Sequence, residues 1–272
     1  SVFAIFADKP VLIQKLPSGG EQPISIALSR DLLYVLNAGG AGNVSGFYVG
    51  DDRRVYPIPG SSRPLSGGAV GPAQISFDTF GDILVVTEKN TNKIDLYDIE
   101  DGIARGPNVR NSNGMTPFGF AFDRHDHLIV SEAFGGAANA SALSSYEIDG
   151  GTFPLEVVSG TIGTQQTAAC WVVVSKNGHF AYTTNTGSSS ISGYRVARNG
   201  ALTLLNADGV TARTGSGSSP LDAATSSDGK YLFALSPNIG TISSFRVRDD
   251  GSLQVGSIAD GVPLSASGLV AH

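Results

Sequence analysis

Hydrophobic positions along this chain come in short runs. "PISIALS" at 23–29, "ILVVTE" at 83–88 and "CWVVVS" at 170–175 are separated by clusters of Gly, Asn, Asp and Ser. Between them stand alternating stretches such as "SISGYRV" at 190–196 and "TISSFRV" at 241–247. A period of two with many β-branched residues predicts strands, and the polar clusters predict turns. The helical spacing of apolar residues is absent, which rejects an α/β fold.

The pattern repeats. The aromatic that closes each alternating strand falls at Phe6, Phe47, Tyr97, Tyr146, Tyr194 and Phe245, at spacings of 41, 50, 49, 48 and 51. A second series, the strand ahead of a tight hairpin, keeps the same period: 23–29, 73–78, 118–123, 170–175, 221–226 and "SGLVAH" at 267–272. The hairpins themselves read "DTFGD", "DRHDH", "SKNGH" and "SSDGK". Each unit therefore holds four short strands, and four antiparallel strands every 40–50 residues are the signature of a β-propeller blade. The prediction is one all-β domain over 1–272, with five complete repeats plus one partial blade shared by the two termini. In that blade "SVFAIF" is a third strand, "VLIQKLP" a fourth and "SGLVAH" the innermost, all in one sheet. The count leaves six first strands, six third strands and five second strands, so one second strand is missing.

Composition narrows the classes of function. The net charge is −6 and the basic residues are scattered, so no basic stripe is present to follow a phosphate backbone, and nucleic acid is not an expected partner. No apolar run is long enough for a membrane span, so the expectation is a soluble chain, a monomer, without a membrane partner. A single cysteine, Cys170, excludes an internal disulfide and leaves cytoplasmic, periplasmic and secreted locations open.

In a propeller the loop joining the second strand to the third and the loop entering the first strand open on the same rim. The aligned ends of the second strands are Asn37, Glu88, Glu132, Asn185 and Ser236, and the entries to the first strands carry Gln74, Phe118, Trp171 and Asp222. This predicts a polar ring at one mouth that binds a small-molecule ligand. Within it Glu88 and Glu132, from adjacent repeats, are the expected catalytic carboxylates, since like charges held close raise one pKa toward a useful general acid or base. Lys89 is placed to hold an anionic group. The competing reading is that the Asn, Ser and Glu side chains cap loop amides, and that Trp171 with Cys170 packs between blades. His125, Asp126 and His127 of "DRHDH" align with other hairpin turns and are read as a turn, with no metal site. "GSGSS" at 215–219 lacks the following helix that gives a glycine run its phosphate-binding meaning.

The phrases "LLYVLNAGGAGNVSGF", "LVVTEKNTNKIDLY", "TPFGFAFD", "AACWVVVSKNGHFAYTTNTGSSSISGYRV" and "SSDGKYLFALSPNIGTISSFRV" resemble the bacterial lactonase-type seven-bladed β-propeller family, which includes 6-phosphogluconolactonases and carboxymuconate cyclases. The resemblance covers essentially the whole chain. It implies seven blades, so the chain is expected to be an N-terminally truncated relative, with a natural six-bladed ring as the alternative. It also implies a lactonase or lactonising enzyme acting on a small polar lactone at the rim, without a cofactor. Two other readings stay open: a Ca²⁺ or Mg²⁺ seat in the Glu/Asn/Asp ring, and a non-catalytic module whose rim binds a ligand, a glycan or a protein partner.

Overall fold

The computed structural model describes residues 1–6, 9–148 and 154–271. All extended structure is antiparallel, and the only helical segments among the described residues are two single 3₁₀ turns, Phe134–Gly136 and Pro237–Ile239. Contacts divide the chain into two compact units, Ser1–Asn111 and Ser112–His272.

The first unit holds a two-stranded sheet and two complete blades. Val2–Phe6 pairs with Lys9–Gln14. Blade 1 consists of Pro23–Ser29, Leu32–Asn37, Asn43–Val49 and Val55–Pro57 in chain order, with Arg63–Pro64 added beside its third strand. Blade 2 consists of Pro72–Phe77, Ile83–Glu88, Lys93–Glu100 and Ile103–Asn111. Between the two blades lies a core of Tyr34, Leu36, Val44, Ile75, Phe77, Leu84, Val86 and Tyr97. Because both faces of a blade are covered, Ile83–Glu88 is buried at every position, which explains the apolar run Ile83–Val86. Tyr34 meets Phe77 edge to face at 6.1 Å, and its hydroxyl accepts the Ala104 N–H of the next blade at 2.7 Å, so a buried ring finds the partner its polar end needs.

The second unit holds three blades. Blade 3 consists of Pro117–Phe122, Leu128–Glu132, Ala142–Ile148 and Leu155–Gly163. Blade 4 consists of Ala169–Val174, Phe180–Asn185, Ser190–Val196 and Leu202–Leu204, with Ala212–Arg213 beside its third strand. Blade 5 consists of Asp222–Thr225, Tyr231–Ser236, Thr241–Val247 and Leu253–Asp260. The first strands of blades 3, 4 and 5 pack in succession. Tyr182 of blade 4 crosses to blade 5, where its hydroxyl donates to the Gly251 carbonyl at 2.9 Å.

The closing aromatics Phe47, Tyr97, Tyr146, Tyr194 and Phe245 are all buried, as the repeat predicts, whereas Phe6 is 60% exposed because its sheet has only two strands. The expectation of a shared terminal blade needs correction. The described residues of "SGLVAH" form no strand, and His272 lies outside the described residues. An extended segment without ladder partners leaves its backbone groups to other acceptors; here the Leu269 N–H donates to the Asp222 carboxylate at 2.7 Å. No helix among the described residues is long and apolar enough to cross a membrane.

Candidate functional site

The aligned polar residues that end the second strands, Asn37, Glu88, Glu132, Asn185 and Ser236, are all buried. Four of them bond to a third-strand or loop group of their own blade. Asn37 donates to the Ser18 carbonyl at 3.3 Å. Asn185 donates to the hydroxyls of Ser190 and Ser192, and Ser192 in turn donates to the Gly209 carbonyl at 2.5 Å. Glu132 accepts the Gly114 N–H at 2.8 Å and the Ser144 hydroxyl at 2.5 Å. Glu88 accepts the Ser66 N–H at 3.0 Å, the Ser66 hydroxyl at 2.5 Å and the Thr91 hydroxyl at 2.6 Å. In blades 1 to 4 these side chains thus form a polar plug that fixes an adjoining loop through its N–H or C=O groups, whereas the buried Ser236 hydroxyl of blade 5 has no partner among the described residues. Gly114 is needed for this approach, since a Cβ there would stand 2.1 Å from a Glu132 carboxylate oxygen.

In blade 2 the plug contains a second acid. Asp95, on the third strand opposite Val86, is buried beside Glu88, and the Ser66 N–H also reaches its carboxylate at 3.0 Å. Burial first, then the hydrogen bond and the charge of Glu88, push the Asp95 carboxyl up to about 8. Asp95 is therefore the protonated partner at neutral pH, donating to Glu88. Burial likewise raises the Glu132 carboxyl, partly offset by the Ser144 and Gly114 donors. Neither Glu88 nor Glu132 has an exposed surface, and each already accepts from its own loop.

The first-strand positions are placed differently. Gln74, Phe118 and Trp171 sit at equivalent irregularities of their strands, where the register slips between Pro72 and Ile75, Pro117 and Phe120, and Ala169 and Val172. A bulge turns its side chain away from the pleat, a common device beside binding sites. Just upstream, each blade enters its first strand through a left-handed residue: Gln22 (φ 53), Gly71 (φ 62), Thr116 (φ 58), Ala168 (φ 57) and Ser219 (φ 51). In the first four blades the carbonyl of this residue accepts the N–H that follows the second strand, which ties the two rim loops together. Lys89 supplies one of those N–H groups, to Gly71 at 3.0 Å, and its side chain is half-buried.

In the second unit three of these positions follow one another on packed strands. Gly119, next to Phe118, lies so close to Trp171 that a Cβ would come within 2.7 Å of its Cα. Cys170 beside Trp171 donates its thiol to the Leu221 carbonyl, one residue before Asp222, at 3.1 Å. Trp171 and Phe118 are half-buried. Asp222 is 4% exposed, and burial raises its carboxyl to about 6 against the opposing N–H groups of Leu269 and Ala223.

The hairpin rim is made of turns. Asp123 accepts the backbone N–H groups of His125 and His127 and the His127 ring, at 2.8, 3.0 and 2.9 Å, and Asp78 holds the N–H groups of Gly81, Asp82 and Ile83 in the corresponding turn. No group of three metal-ligating side chains occurs among the described residues. The plug partners Asp95, Ser66 and Ser144 escaped the sequence reading. The signal was available, because Asp95, Ser192 and Ser243 each stand seven residues after the aligned Glu88, Asn185 and Ser236.

Successive four-stranded antiparallel blades define a β-propeller. Residues 133–260 match the family described as lactonase, 7-bladed beta-propeller. A candidate 6-phosphogluconolactonase from Bacteroides uniformis is similar in fold with a TM-score of 0.78 at 16% identity, covering 96% of this chain and 77% of the other. The periplasmic gluconolactonase of Pseudomonas aeruginosa is similar with a TM-score of 0.70 at 16% identity, covering 89% and 70%. A candidate 6-phosphogluconolactonase from Bacteroides fragilis gives 0.71 at 17%, covering 96% and 77%. No curated protein matches the chain in sequence.

Proposed function

We propose that this lactonase-like propeller hydrolyses a small polar lactone at the first-strand entries of the second unit, with Asp222 as general base. The observation that carries the reading is a nearly buried carboxyl whose pKa of about 6 leaves it mostly ionised at neutral pH yet basic enough to take a proton. It lies next in line to the half-buried rings of Phe118 and Trp171, which offer apolar surface to one face of a sugar-like ring. The Asp222 carboxylate takes a proton from water as the water oxygen bonds to the lactone carbonyl carbon. The ring C–O bond then breaks and that proton passes to the departing alkoxide, leaving a hydroxy acid. Glu88 and Glu132, the carboxylates expected from the sequence, act in this reading as loop anchors.

A panel of γ- and δ-aldonolactones tests it. Asp222→Asn is expected to lower kcat by about 100-fold or more, while Glu88→Gln and Glu132→Gln keep most of the activity. Wild-type kcat/KM should rise as pH climbs through about 6, because the base acts unprotonated. Full activity in Asp222→Asn with loss in Glu132→Gln returns the chemistry to the plug. A wild-type chain that binds these lactones and hydrolyses none is a binding module.

A further inference from the structure

The glycine–serine run at 215–219, given no task above, lines a cavity of 460 Å³ in the second unit. Its facing wall is the 186–189 loop that joins the second and third strands of blade 4. Arg213 lies at the cavity edge. Its backbone is fixed: Ala212–Arg213 pairs with Ser190 and Ile191, and Thr214 donates to the Ser189 carbonyl at 3.1 Å. Its guanidinium forms no ion pair or hydrogen bond among the described residues. In blade 1 the added strand puts Pro64 at the register place of Arg213, and the neighbouring Arg63 guanidinium is turned back onto the carbonyls of Gly60 and Ser62 at 2.8 and 2.7 Å.

The run itself has a set shape. A buried Thr214–Ser218 hydroxyl pair at 2.6 Å, the Ser218 N–H to the Gly215 carbonyl at 3.3 Å and the Asn238 amide to the Gly217 carbonyl at 2.7 Å hold it. The N–H groups of Gly215, Ser216 and Gly217 donate to no group among the described residues. Three successive undonated amides beside an unpaired guanidinium, on a chain of net charge −6, make a local concentration of donors with no protein acceptor.

We propose that this cavity is an oxyanion-binding site, taking a phosphate or carboxylate group between the Arg213 guanidinium and the amides of 215–217. A planar guanidinium suits a two-oxygen contact, and the amides complete the cradle. The site goes beyond the lactonase reading and stands or falls separately from it. Amide chemical shifts of the intact chain during titration with inorganic phosphate, and in parallel with acetate, test it. Saturable shifts of Gly215, Ser216 and Gly217 are expected with one or both probes, and the tighter probe names the group. Arg213→Gln should weaken binding about tenfold or more, with Arg213→Lys between it and wild type. Both variants should keep the wild-type Tm, since the guanidinium makes no internal contact. Asp222→Asn should leave phosphate and acetate binding unchanged. Absence of saturable shifts with both probes, or equal binding by Arg213→Gln, overturns the proposal.

Discussion

The buried acid pair of blade 2 makes stability depend on pH in a direction opposite to that of ordinary surface carboxylates. Asp95 rises from its ordinary 3.8 to about 8 in the fold, so between these values the native state holds a proton that the unfolded chain has released. The pair's contribution is therefore complete at low pH and is lost as pH rises through about 8. The limiting slope is about 1.4 kcal/mol per pH unit, which gives about 2 kcal/mol between pH 6 and pH 8 after allowance for relaxation of the coupled pair. Asp95→Asn removes the titration. Its amide can donate to Glu88 as the protonated acid does, and its carbonyl can accept the Ser66 N–H now 3.0 Å from the carboxylate. In urea, with an m-value of about 3 kcal/mol/M, the wild-type midpoint should fall by roughly 0.7 M from pH 6 to pH 8 relative to that of Asp95→Asn. Parallel midpoint-against-pH curves for the two proteins would show that Asp95 and Glu88 do not share a proton and would refute the assignment.

Other consequences can be measured on purified variants. Gly114→Ala should lower stability by about 2 kcal/mol, because its Cβ displaces the Glu132 carboxylate and strands the Gly114 N–H and Ser144 hydroxyl; an unchanged Tm would remove the plug's structural role. Tyr182→Phe deletes a buried hydroxyl bond to Gly251 and should cost about 1 kcal/mol by urea unfolding. Ala168→Gly relieves a left-handed residue (φ 57) with no side-chain bond to lose, and should stabilise by about 0.5 kcal/mol once glycine's extra unfolded-state entropy is subtracted; a clear loss of Tm would contradict the strain argument.

The fold was legible because its two periods are imposed by packing. A blade covered on both faces favours apolar residues along the body of its second strand, and the stack needs an aromatic at one fixed place in its third; both leave marks such as "ILVVTE" and the Tyr97–Tyr146–Tyr194 series. The hairpin turns were equally readable, since Asp123 and Asp78 act through backbone amides a few residues away. What the pattern could not show was exposure. Glu88 and Glu132 align with Asn37, Asn185 and Ser236 at strand ends, and a strand end reads as a rim position. The structure buries them because the loop ahead of the first strand folds back over them, and that loop has no periodicity to read. The strand "SGLVAH" failed for a related reason: its pattern specifies a strand, but a strand needs a partner, and residues 266–271 make no ladder.

The plugs constrain where chemistry can sit on this scaffold. A residue that anchors a rim loop accepts several hydrogen bonds from it, so converting the same carboxylate into a general base would require those donors to be released during every turnover. Glu88, with three donor contacts from Ser66 and Thr91, is the extreme case, and its neighbour Asp95 already supplies a proton to it. The first-strand entry carries no such duty in blade 5: Asp222 accepts only two backbone N–H groups, one from its own successor Ala223 and one from Leu269 in a segment outside any sheet. Of the two, the Leu269 contact is the one that can be exchanged for water or substrate without opening a ladder. The division of labour follows from what each acid holds: Glu88 is saturated by Ser66 and Thr91, and Glu132, buried with one carboxylate oxygen unpartnered among the described residues, fixes Gly114 and Ser144 through the other, whereas Asp222 at a first-strand entry gives up only the Leu269 contact to make room for a reaction.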